Sequence, residues 1–121
     1  MKTTKAQFEL FKSECLKWQK KLNLETWKFY FYHKRIDNNS WANVIPDYSG
    51  RCASLILSTH TGTDVADDEQ IKESALHECL EVLLSPLTDL AACRTFDEQE
   101  LIKETHTIIR VLEKLLMNMN Q

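Results

Sequence analysis

Apolar residues recur at three- and four-residue steps over Thr4–Leu22. There Phe8, Phe11, Cys15, Trp18 and Leu22 share one side, while Lys5, Lys12, Lys17 and Lys20 fall mostly elsewhere. That period predicts an amphipathic helix, with Asn23 as its stop. The period then shortens to two. Trp27–His33 reads W-K-F-Y-F-Y-H, aromatic and β-prone, with Trp27, Phe29 and Phe31 on one face. Beyond the polar, turn-forming stretch Lys34–Asn39, Ser40–Ile45 predicts a second strand and Pro46–Gly50 a hairpin connection. Arg51–Ser58 is the third strand. Its Ala53, Leu55 and Leu57 alternate with Cys52, Ser54 and Ile56, so both faces look largely covered.

The pattern becomes helical again after the polar stretch Thr59–Ala66. Asp67 with Gln70 forms a capping box and opens a helix that Pro86 should stop after about Ser85. Thr95 with Glu98 forms a second box, opening a last helix through about Met117. The predicted fold is α+β: an N-terminal helix, a small three-stranded antiparallel sheet and two C-terminal helices, in a single domain spanning residues 1–121. Composition agrees. The chain is 43% apolar, with three Trp and five Phe, which is enough for a core of its own. Only two Gly and two Pro argue against a turn-rich sandwich or a disordered tail. No internal repeat or linker interrupts it.

Charge and cysteine usage narrow the partners. Eighteen acidic residues against fifteen basic give a net charge of -3 without blocks of like charge, which disfavours nucleic acid as a partner. A DNA-binding regulator would need a basic recognition helix, and only the first helix carries moderately clustered lysines. No apolar run approaches the roughly 20 residues of a membrane span. The start, Met1–Gln7, lacks the apolar core of a signal peptide, so the expected location is the cytoplasm. Cys15, Cys52, Cys79 and Cys93 contain no C-x-x-C pair, which excludes a zinc ribbon and leaves four reduced thiols, mostly small core residues.

The candidate chemistry lies in Ala75–Pro86, which contains the string H-E-x-x-E. His77 and Glu81, four apart on a helix, stand one turn above each other and can grip one metal ion. Glu78 lies about 100° further round, where it could take a proton from a water on that metal. A solvated helix face would show the same string. On a wheel, Leu76, Cys79, Leu80 and Leu83 form the buried stripe, with Ser74, His77 and Glu81 beside it. In the last helix Leu101, Ile108, Leu112, Leu115 and Met119 form the stripe. His106 falls at its edge, Glu113 two turns on along the same flank and Glu104 on the opposite edge. A histidine there is either a packed core residue or a third ligand facing His77. His33 and His60 read as a strand end and a loop residue, and Tyr30, Tyr32 and Tyr48 offer hydroxyls for an oxyanion.

These residues resemble the zincin superfamily of zinc metallopeptidases, and within it the minimal metallopeptidase-like proteins common in phage and prophage genomes. Leu22–Trp27 looks like their helix exit, and Trp41–Val44 with Arg51–Leu57 looks like their hairpin with an edge strand. Asp67–Gln70 before Ala75–Glu78 matches the approach to their H-E-x-x-H helix, and Thr107–Glu113 matches the helix that supplies their third ligand. Glu81 stands in place of the family's second histidine, and His106 in place of its downstream glutamate. The resemblance therefore implies one zinc ion held by His77, Glu81 and His106, or by Glu104 in place of His106, with Glu78 as general base for peptide hydrolysis. Peptide or protein would be the substrate, and the host cytoplasm the location of a phage-encoded chain. The alternative is a catalytically inactive zincin-like module that occupies a host protein, for example as an anti-defence protein.

Overall fold

The computed structural model describes residues 2–37, 40–62, 67–93, 95 and 97–119. Six elements follow in the order α1 (Lys5–Lys21), β1 (Lys28–His33), β2 (Ala42–Asp47), β3 (Cys52–Leu57), α2 (Asp68–Ala92) and α3 (Glu98–Met119). The expected polar stretches at 34–39 and 59–66 fall between elements, and their positions 38–39 and 63–66 lie outside the described residues.

Local chemistry sets the helix ends. Thr4 caps α1 by accepting from the Gln7 N–H while the Gln7 side chain accepts from the Thr4 N–H. Asn23 follows the last turn in the left-handed region, at φ 58°, a conformation that Asn tolerates well. Asp67 and Gln70 form the expected capping box on α2. The box expected at Thr95 is displaced: α3 begins at Glu98, and the Asp97 carboxylate accepts from the Gln99 N–H.

Pro86 does not stop α2, which continues to Ala92. A proline inside a helix deprives the carbonyl four residues back of its partner. Here that carbonyl belongs to Val82, and the Ser85 hydroxyl donates to it at 2.7 Å. The neighbouring side chain thus replaces the missing backbone donor, and Pro86 itself is buried.

The sheet corrects the expectation of purely antiparallel pairing. Its order is β1-β3-β2, with β2 antiparallel and β1 parallel to the central β3. In the parallel register Lys28 stands opposite Cys52 and His33 opposite Leu57. Parallel pairing usually needs a long crossover, but here the chain leaves β1 and enters β2 at the same end of β3. Lys34 N–H donates to Leu57 O on one side, and Ser58 N–H donates to Trp41 O on the other. The covered faces of Ala53–Leu57 mark a central strand, and a central strand has two edges to fill.

The core joins Phe11 and Cys15 of α1, Ile71, Ala75, Cys79 and Val82 of α2, and Leu55 and Leu57 of β3. Trp27 and Val44 belong to the same cluster. Phe29 and Phe31 of β1 turn towards it, whereas Tyr30 and Tyr32 are exposed on the other face. Cys15 and Cys79 meet where α1 crosses α2: the Cys79 thiol donates to Cys15 O at 3.6 Å. Hydrogen bonding to Cys79 and then burial push the Cys15 thiol far above its ordinary range. A thiol so placed stays protonated and inert, as expected for a packing cysteine. All four cysteines are free, with Cys93 exposed.

Candidate metal site on the second helix

The buried stripe of α2 is rotated from the one the leucines suggest. Cys79 and Leu83 of the expected stripe are buried together with Ile71, Ala75, Glu78, Val82, Ser85 and Pro86, while Leu76 and Leu80 are only half-buried. The rotation is about one residue, roughly 100°. It carries Glu78 inside, where the residue is 5% exposed, and leaves His77 and Glu81 outside. The signal was available in the sequence: Ile71, Ala75, Glu78 and Val82 are spaced by fours and threes. Small and β-branched residues pack closest to a neighbouring helix, so they mark the inner line better than the leucines do.

His77, Glu78 and Glu81 each offer a ligand atom, and these atoms lie within 4.8 Å of one another. The His77 Nε2 to Glu81 Oε2 distance is 3.5 Å, one helical turn apart as the spacing requires. Glu78 Oε2 is buried and has no hydrogen-bond partner among the described residues. Burial, then hydrogen bonding to and repulsion by Glu81, push the Glu78 carboxyl up to about 8. A buried carboxylate oxygen without a donor is costly, and a cation held between the Glu78 and Glu81 carboxylates would answer their repulsion. One imidazole nitrogen and two carboxylates form a donor set that divalent ions accept. This His/Glu/Glu cluster can hold a metal ion.

The same flank of α2 runs beside β2. His77 shares a shallow cleft with Trp41, Gln70, Glu73 and Ser74, and Ser85 shares another with Pro46 and Tyr48. Trp41 and Gln70 were not anticipated as neighbours of the site. β2 pairs only with β3 among the described residues, so it is an edge strand of the sheet.

His106 is not part of this group. The face of α3 that packs inward comprises Leu101, Glu104, Thr105, Ile108, Val111, Leu112 and Leu115, buried or half-buried. His106 lies roughly opposite that face and is exposed. The expected stripe erred at Met119, which is 70% exposed. The other four expected stripe residues, Leu101, Ile108, Leu112 and Leu115, do face inward, and at 100° per residue His106 lies about 150° from their centre, so the edge position expected for it does not follow from the spacing. Glu104 faces the molecule but serves another purpose. Its carboxylate accepts from the Tyr48 hydroxyl at 3.3 Å, in a cleft shared with Trp27, Arg51 and Pro86. Glu113 is exposed.

The remaining candidates are engaged elsewhere. His33 Nε2 is 2.7 Å from Thr3 Oγ1 and its ring stacks on Phe8, and His60 Nδ1 is 2.8 Å from Thr59 Oγ1. Among the described residues no helix is long and apolar enough to cross a membrane. No protein-family model matches the chain, no curated protein matches its sequence significantly, and no solved structure matches its fold significantly.

Proposed function

We propose that the chain binds a divalent metal ion on α2 and hydrolyses peptide bonds with it. The ion would be zinc and the chemistry that of the zincins, as the resemblance implies. His77 and Glu81 are the ligands that the cluster supplies and Glu78 the general base; His106, the third ligand that the resemblance implies, is exposed outside the cluster. The observation that carries this reading is the gathering of one ligand atom each from His77, Glu81 and the buried Glu78 within 4.8 Å of one another. When bound, the ion polarises the substrate carbonyl and acidifies a water beside it. Glu78 then takes the proton of the attacking water and returns it to the leaving amine as the C–N bond breaks. The edge strand β2, alongside the site, suits an extended peptide added as a further strand.

A second reading is favoured by the exposure of His106 outside the cluster. In it Glu78 is the third ligand rather than a base, and the chain is a metal-stabilised module that acts by occupying a partner protein. One series of variants separates the two. Purified protein is assayed for metal, melted with and without chelator, and tested on unfolded protein substrates. Under the first reading, Glu78→Gln keeps the metal and loses roughly 10²–10⁴ of the rate; Glu81→Gln loses the metal. Under the second, Glu78→Gln loses the metal as well, and no hydrolysis is found in the parent. A chain whose melting temperature ignores both zinc and chelator would remove the metal from either reading.

A further inference from the structure

The C-terminal turn of α1 and the middle of α3 face each other across a cleft of about 480 Å³. Its walls carry Lys20 and Lys21 from α1 and Arg110 and Lys114 from α3, with Glu25 as the one carboxylate. All four cations are exposed. Among the described residues none of them stands in an ion pair, since the pairs found are Lys17–Glu14, Lys72–Glu69 and His77–Glu81. Lys21 reaches over the Trp18 ring at 5.1 Å.

The concentration is out of keeping with the rest of the chain, in which acidic residues outnumber basic ones. Lysines in the last turn of α1 are accounted for by the carbonyl end of the helix. That argument does not reach Arg110 and Lys114, which belong to another helix and stand one turn apart. Four like charges around one concavity repel one another, and a bound anion would relieve them. The Arg110 guanidinium offers a planar fork for phosphate oxygens, and the lysines offer point charges around it. Asn23, at the same cleft, adds a side-chain amide donor.

We infer that this cleft is a binding site for a small molecule carrying a di- or triphosphate group. The cleft has the volume of a small-ligand site, and four cations against one carboxylate match the charge of such a group. A long nucleic acid fits less well, because the surrounding surface of a chain with net charge -3 would repel it beyond the cleft.

The test is calorimetric titration of the metal-free protein with inorganic tripolyphosphate at low ionic strength. One saturable site per chain is expected, weakening as salt rises. Because the four side chains are exposed, Lys20→Gln combined with Arg110→Gln should fold normally and weaken binding by about tenfold or more. Lys28→Gln, on the exposed side of β1, should leave it unchanged. Tighter binding of ATP than of tripolyphosphate would identify a nucleotide, and equal binding would identify the polyphosphate group alone. The inference is overturned if tripolyphosphate shows no saturation, or if the double variant binds as the parent does. It is equally overturned if single-stranded oligonucleotides bind more tightly with increasing length and the same variant weakens them.

Discussion

The two C-terminal helices reverse what their sequences advertise. α3 carries the clearer amphipathic pattern, yet only Ile108 on it is buried. α2 has the blurred pattern, with leucines on several sides, yet eight of its residues are buried, including a glutamate, a serine and a proline. The difference lies in neighbours. α2 packs against α1, β2 and α3, so partners cover it on more than one side and its own periodicity need not be sharp. α3 lies at the margin, where one narrow stripe suffices and the opposite side meets water. Amphipathicity therefore reports how one-sided a helix's surroundings are, not how deeply it is buried.

The largest effect should come from emptying the α2 side of the core. Ile71 is fully buried, and Ile71→Ala should cost about 2–5 kcal/mol by leaving a cavity between α2 and its neighbours. Ile108→Ala, at the lightly packed contact of α3, should fall at the low end of that range. Denaturant melts of the two variants compare the helices directly. A larger loss at Ile108 would mean that α3, not α2, anchors the C-terminal half.

Glu78 sharpens the comparison, because burial in α2 is the largest cause of its raised carboxyl, ahead of the neighbouring Glu81. Its folded-state pKa, about 8, stands above the ordinary carboxylate value. A group raised in this way contributes stability that is fully present below its unfolded pKa, near 4.5, and is lost as pH rises through about 8. With chelator present, the parent should therefore lose stability between those limits. Glu78→Met lacks the proton and the unpartnered oxygen. It should gain on the parent by about 1–3 kcal/mol at the alkaline end and less near pH 5. A pH-independent difference between the two would show that Glu78 is not held neutral by its surroundings.

How far the sequence disclosed the molecule can be judged from the same two helices. The helices themselves, the stop at Asn23, the Asp67 box and the inward side of β1 were all legible, because each depends on residues close together in the chain. Two failures were local as well, Pro86 as a helix stop and the Thr95 box; two others depend on residues far apart. The parallel pairing of β1 follows from which edge of β3 was left vacant. The rotation of α2 follows from how closely α1 approaches it at Cys15 and Cys79. For the candidate site, the i, i+4 pair His77–Glu81 was legible as a helical spacing, and the position of Glu78 was off by one residue's rotation. His106 was misplaced on a pattern that is itself clear: the stripe through Leu101, Ile108, Leu112 and Leu115 puts it on the opposite side of α3, where it is exposed.

Ser85 tests a smaller part of the same account, the passage of α2 through Pro86. Its hydroxyl stands in for the backbone donor that proline lacks, so Ser85→Ala should cost about 1 kcal/mol. In a Pro86→Ala background the Val82 carbonyl regains a helical N–H, and the same serine change should cost measurably less. A double-mutant cycle reads that difference directly. Additivity of the two changes would mean that the hydroxyl is not compensating for the proline.

The smallest effect is expected on the outer side of α3. Ile102, Ile109 and Leu116 recur every seven residues there, and Leu116 is 58% exposed. If that side meets water, as the marginal position of α3 implies, Leu116→Gln removes almost no buried apolar surface and stability should change by no more than about 0.5 kcal/mol. Glutamine is also a good helix former, so the backbone has no reason to object. The measurement is a pair of denaturant melts at two protein concentrations. A loss comparable with that of Ile71→Ala would contradict the contrast between the helices, since it would place Leu116 under cover in solution. A concentration dependence of the parent's midpoint, absent from the variant, would say that the cover comes from a second chain. A flat response in both respects would leave α3 as the structure has it, held by the inner stripe around Ile108 alone.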